Sequence, residues 1–121
     1  MFNIVKYREI QGFIEKNKKN CEIVAVSKNH PKESIISAIE QGVYIFGENR
    51  VSEAKTKFSE LRVKHPKLKL HLTGPLQSNK VKDALKLFDV IHTLDREKIA
   101  KEFSKNQDLL SDKKIFIQVN I

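Results

Sequence analysis

Two spacings of apolar residues alternate along this 121-residue chain. Short unbroken apolar runs, such as Ile23-Val24-Ala25-Val26 and Val43-Tyr44-Ile45-Phe46, read as buried strands. Between them, apolar positions recur every three or four residues, the mark of amphipathic helices. The pattern predicts a first helix over 3–18 with Ile4, Tyr7, Ile10 or Gln11, and Ile14 on one face, then a strand over 22–27. A second helix is capped by Asn29 or His30, has Pro31 in its first turn, buries Ile35, Ala38 and Ile39, and stops at Gly42. The second strand is 43–46. A third helix from about 49 to 64 buries Val51, Ala54, Phe58 and Leu61, and His65-Pro66 closes it. The third strand, 68–72, turns at Gly74-Pro75, and a fourth helix over 77–88 follows with Val81, Ala84, Leu85 and Phe88 inward. Strand 89–92, a fifth helix capped by Asp95 and carrying Ile99 and Phe103, and a fifth strand over 115–119 complete the order.

One helix, four strand-helix units and a last strand make a single α/β domain over 1–121. Strands that alternate with helices require a parallel sheet with right-handed crossovers. Periodicity leaves two architectures open, a doubly wound sheet or the first half of an eight-stranded barrel. Neither a GxGxxG turn nor a P-loop is present, with glycine only at positions 12, 42, 47 and 74. Cys21 has no partner for a disulfide, and His30, His65, His71 and His92 lack metal-ligand spacing, so no metal is expected. Without an apolar leader or a run of membrane-spanning length, the expected location is the cytoplasm.

The net charge of +8 raises nucleic acid as a partner. Only four of the 23 basic residues are arginines, and the lysines are spread over every helix. The densest run, Lys16-Asn17-Lys18-Lys19, falls where the first helix ends, which its dipole favours. No aromatic residues interleave with a basic stripe as stacking platforms would, so nucleic acid is not the expected partner.

Chemistry gathers at the strand ends. Val26-Ser27-Lys28, Phe46-Gly47-Glu48-Asn49-Arg50 and the stretch from His71 through Gly74-Pro75-Leu76-Gln77-Ser78-Asn79-Lys80 each follow a strand and precede a helix. In a parallel sheet all such turns share one edge, so Lys28, Asn49 and the 74–80 loop should converge. An ammonium held against an apolar strand end is desolvated, which favours a free amine able to attack an aldehyde. Each segment also has an ordinary reading: lysine snorkelling at a strand end, a tight turn at Gly47, capping by Gln77-Ser78-Asn79.

Four ordered motifs, Ala25-Val26-Ser27-Lys28, Phe46-Gly47-Glu48-Asn49, the 74–80 stretch and Gln118-Val119-Asn120, resemble the pyridoxal phosphate homeostasis protein family, also described as alanine racemase, N-terminal domain-like. The resemblance runs from about residue 22 to the last residue. It implies the N-terminal half of a PLP-binding (β/α)8 TIM-type barrel, helix then (βα)4β. It further implies pyridoxal 5'-phosphate held as a Schiff base on Lys28, with Asn49 beside it and Gly74, Leu76 and Gln77 lining the same mouth. Thr73 and Arg50 depart from the apolar and aromatic residues of that pattern. A whole barrel takes roughly 200–250 residues, with phosphate held by its last turns, so the expectation is a truncated form.

The resemblance implies cofactor buffering rather than an enzyme. The alternative, a PLP-dependent amino-acid racemase, needs a second acid-base group, and Tyr7 and Tyr44 fall away from the strand ends. A cofactor-free fragment with only scaffold capacity is the third reading. Open sheet edges and an apolar inner face would favour a homo-oligomer.

Overall fold

A computed structural model describes residues 2–18 and 20–121. The elements are α1 (Ile4–Lys16), β1 (Ala25–Val26), α2 (Lys32–Glu40), β2 (Ile45–Glu48), α3 (Val51–Lys64), β3 (Lys69–Leu72), α4 (Val81–Leu87), β4 (Val90–Leu94), α5 (Glu97–Lys105) and β5 (Lys114–Ile117). Short 3-10 turns precede α4 at Ser78–Lys80 and β5 at Gln107–Leu109. The five strands are parallel and lie in the order β1-β2-β3-β4-β5. That order decides between the two architectures. A doubly wound sheet reverses its strand order at a switch point, whereas this one winds a single way, as half of a barrel does.

Alternation splits the sheet into unequal faces. Register places Phe46 beside Leu70, and Leu72 beside Ile91. These four side chains are 0–2% exposed, and Phe46 meets Phe58 of α3 at 5.7 Å between ring centroids. Fully burying a side chain such as Phe58 contributes about 1.5–3 kcal/mol. The other face carries Val26, Gly47, His71 and Val90 in register, and the rings of His92 and Phe116 lie against it. It stays open: Val26 is 54% and Phe116 52% exposed.

Several sequence expectations shift. The first strand shrinks from 22–27 to Ala25–Val26, because beyond Val26 only Ser27 continues the ladder, donating its N–H to Gly47 C=O at 2.9 Å. Neither Asn29 nor His30 caps α2. Pro31 takes that position in extended backbone, and Asn29 adopts a left-handed φ of +63°. Gly42, at φ +91°, ends α2 as expected. The third helix starts at Val51, after Arg50, rather than at about 49, and Arg96 rather than Asp95 precedes α5. The fourth helix starts as a 3-10 turn. In α1, Gln11 rather than Ile10 faces inward: Ile10 is 42% exposed and no residue of α1 is fully buried. Lys19 of the basic run lies outside the described residues. No described helix is long and apolar enough to cross a membrane.

Candidate functional site

The turns after β1, β2 and β3 share one edge of the sheet, as parallel strands require. Backbone bonds continue the ladder past the strands: Ser27 donates to Gly47, and Thr73 donates to Glu48 at 2.9 Å. Lys28 sits just beyond β1, and its side chain is exposed. The burial from which the sequence argued for a desolvated amine is absent, since the chain leaves β1 too early to enclose it. Lys28 is instead an accessible amine on a fixed turn.

Asn49 follows β2 and is half-buried. Its Oδ1 accepts a hydrogen bond from the Thr73 hydroxyl at 2.9 Å. That gives the unexpected threonine a job: it ties the second turn to the third and leaves the Asn49 amide N–H groups to donate elsewhere. Gly74 is packed so tightly that a Cβ there would lie 2.3 Å from Asn49 C=O, so only glycine fits. Leu76 is 1% exposed and belongs to the core, while its carbonyl accepts from Arg96 at 2.8 Å. Gln77 is exposed and leads into the 3-10 turn.

A cleft of about 610 Å³ opens between the second and third turns, lined by Asn49, Arg50, Ser52, Gln77 and Lys80 among others. Small-ligand sites span roughly 300–1,000 Å³. Two cations and two amides make it suited to an anionic, oxygen-rich ligand. Lys28 stands at the same edge but does not line this cleft. A second, mainly apolar cavity of about 300 Å³ lies between α1, β1 and α2, walled by Phe2, Tyr7, Ala25, Ile35 and Phe46.

Sequence reasoning missed a buried ionic cluster behind the Lys28 turn. Glu48 is 0% and Lys57 is 7% exposed, and Lys57 Nζ lies 3.0 Å from Glu48 Oε2 and 3.1 Å from Glu53 Oε1. The Ser27 hydroxyl also donates to Glu48. The hydrogen bond from Asn29 N–H holds the Glu53 carboxyl below the usual range, Lys57 adds to this, and partial burial opposes it. A signal was available: Lys57 falls three residues after Ala54 and four before Leu61, on the stripe of α3 that should be apolar.

Two further polar contacts frame the sheet. Arg62 grips Asp89 through both carboxylate oxygens, at 2.6 and 3.0 Å, and Leu70 N–H adds a bond at 2.8 Å. His71 Nδ1 and His92 Nε2 are 2.9 Å apart on the open face. Burial, and then His92, push the His71 pKa down.

No protein-family model matches the chain. Among curated proteins, it is 41% identical over 106 residues to the pyridoxal phosphate homeostasis protein of Vibrio cholerae, covering 85% of this chain and 45% of that protein. The protein of that name from Buchnera aphidicola is 39% identical over 118 residues, covering 94% of this chain and 51% of the relative. The Escherichia coli K12 protein is 41% identical over 103 residues. Among solved structures, PipY of Synechococcus elongatus, a COG0325 family member with PLP bound, aligns at TM-score 0.76 and 36% identity, over 92% of this chain and 54% of that one. The chain spans about half the length of the curated relatives it matches.

Proposed function

Because the chain belongs, over the half-length it shares, to the pyridoxal phosphate homeostasis protein family, we propose that it binds pyridoxal 5'-phosphate through Lys28 and holds the cofactor rather than using it in turnover. The observation that carries this reading is an exposed lysine at the carboxyl edge of β1, on the edge where Asn49 and Gln77 offer amides. When bound, the cofactor supplies an electrophilic aldehyde. The chain supplies the amine at Lys28, amide donors at Asn49 and Gln77, and positive charge at Arg50 and Lys80 for an anionic group. Gly74 and Leu76 shape the rim, one by close approach to Asn49 and the other by anchoring its loop in the core. The donor set fits a ligand with an aldehyde and anionic oxygens.

Residues 1–121 act as one unit in this reading, in the cytoplasm, which cell fractionation checks. Tyr44 precedes β2, at the opposite edge of the sheet from Lys28, and Tyr7 packs on Phe2 in α1. Neither is offered as a second acid-base group, so racemisation is not part of the proposal. Unchanged optical rotation of L-alanine with added PLP is the expected result.

The test is an absorbance spectrum with PLP, before and after borohydride, on the native chain and on Lys28→Ala. A near-visible band present only with Lys28 supports the reading, and its absence from the native chain overturns it. A second reading is self-association through the open face. It is favoured by Val26, Phe116, Ile117 and Val119, each at least half exposed, and by the free outer edges of β1 and β5. Light scattering at micromolar concentration checks it, and a clean monomer refutes it.

A further inference from the structure

The turn that carries Lys28 is held from behind by a buried ammonium. Lys57 Nζ donates to Ser27 C=O at 2.8 Å and to His30 C=O at 3.1 Å, the residues one before and two after Lys28. It also pairs with Glu48 and Glu53, and Glu53 Oε1 accepts the N–H of Asn29 at 2.8 Å. Ser27, Asn29 and His30 are thus all tied to one cation on α3, and Lys28 is the residue of the turn left without a tie. Asn29, at φ +63°, occupies left-handed backbone that asparagine tolerates better than most residues, and its N–H is held by Glu53.

A stabilising role alone does not account for this arrangement. Replacing a buried ion pair by apolar residues of similar volume is often neutral or favourable for stability. Glu48 moreover keeps one buried oxygen, Oε1, without a partner among the described residues, a cost that an apolar core would avoid. What the ammonium supplies and an apolar side chain could not is one point that gathers four acceptors, the Ser27 and His30 carbonyls and the Glu48 and Glu53 carboxylates.

We propose that Lys57 is a positioning residue for Lys28. By locking the 27–30 backbone it presents one amine, out of the chain's 19 lysines, to an incoming aldehyde. The inference rests on the reading of Lys28 as the cofactor-linking amine. In that step the neutral amine nitrogen bonds to the aldehyde carbon, water leaves, and a C=N bond forms. Borohydride then adds hydride to that carbon and fixes the label in place.

The experiment compares the native chain with the double variant Lys57→Met, Glu48→Gln, which removes the ammonium without stranding a buried carboxylate. Each is treated with PLP and borohydride, the pyridoxyl groups are located by peptide mass mapping, and amide hydrogen exchange is followed at Asn29. The expected result is faster exchange at Asn29 and a fall of about tenfold in the label on Lys28, the factor that one lost net hydrogen bond corresponds to. Labelling of surface lysines such as Lys55 and Lys101 stays the same. If the label on Lys28 does not change, the proposal is overturned. If the native chain shows no preference for Lys28, the cofactor reading falls, and exchange at Asn29 alone decides the positioning role: faster exchange upholds the clamp and unchanged exchange removes it.

Discussion

The middle of the sheet and its flanks are built to different standards. In β2, β3 and β4 the helix-facing residues Phe46, Leu70, Leu72 and Ile91 are 2% exposed or less. At the flanks, α1 buries no residue fully, β1 has two residues, and β5 exposes Ile117 to 75%. Lys28, the proposed cofactor-linking residue, nevertheless stands at the poorly packed end, just beyond β1. A site there cannot borrow rigidity from its own strand. It takes it from the middle, through Lys57 on α3 and Glu48 on β2. The contrast teaches that the ionic cluster links a loosely packed edge to a firmly packed centre.

Damage to the centre should cost the fold far more than damage to a flank. Phe58→Ala removes a fully buried ring tilted against Phe46 and should cost about 3–5 kcal/mol. Phe13→Ala on α1, where the ring is 63% exposed, should stay within about 0.5 kcal/mol. Urea midpoints compare the two, and equal losses would mean that the flank carries as much of the core as the centre.

Next in size is the Arg62 contact, which binds α3 to the start of β4. Burial pushes the Asp89 carboxyl up, but Arg62 and Leu70 N–H outweigh it and hold the group below its ordinary 3.8. A depressed carboxylate stabilises the fold above its ordinary value, and that contribution is lost as pH falls through the lower folded value. Arg62→Met should cost about 2–3 kcal/mol at neutral pH, because it leaves Asp89 half-buried and unpaired. It should also remove part of the loss of stability seen below pH 3.8, the ordinary value. Acid titrations of the urea midpoint, run on both proteins, decide this, and parallel curves would contradict it.

Gly74→Ala tests the joint between the second and third turns. A Cβ at 2.3 Å from Asn49 C=O forces the loop away, for about 1–3 kcal/mol. PLP absorbance should weaken with it, since Asn49 and Gln77 would separate. A stable variant with unchanged absorbance would show that this joint does not shape the site.

The middle of the sheet was the legible part of the sequence. Unbroken apolar runs and helical stripes located β2 to β4 and α3 to α5 within a few residues, and the three strand-end loops do share an edge. Periodicity carries no information about lateral strand order, so the choice of barrel over doubly wound sheet required the register. The capping residues were misplaced because Asn29 spends its backbone N–H on Glu53, and its left-handed φ shifts the helix start beyond Pro31. Lys57 was hidden because a lysine on a helix reads as solvated. Its burial depends on Glu48, Ser27 and His30, which are at least nine positions away in sequence and meet it only when β1, β2 and α3 assemble.

The smallest expected effect lies on the open face, where His71 and His92 share a hydrogen bond beside Phe116. Burial and His92 lower the His71 pKa from its ordinary 6.5, while Glu22 and Asp89 oppose this and Lys114 adds to it. A histidine with a depressed folded pKa binds fewer protons folded than unfolded. Stability is therefore complete above pH 6.5 and declines as pH falls from there to the lower folded value, with no further loss from this group below it. His71→Gln keeps a polar group opposite His92 and removes the titration, so the slope of stability between pH 6.5 and the acid plateau should flatten. The same substitution should leave the Lys28 turn untouched, because His71 faces the open side while the Lys57 cluster sits beneath α3. If the slope persists in His71→Gln, the titration does not belong to His71. If borohydride labelling of Lys28 changes, the two sides of the sheet are coupled, and the separation between a firm centre and a tethered edge fails.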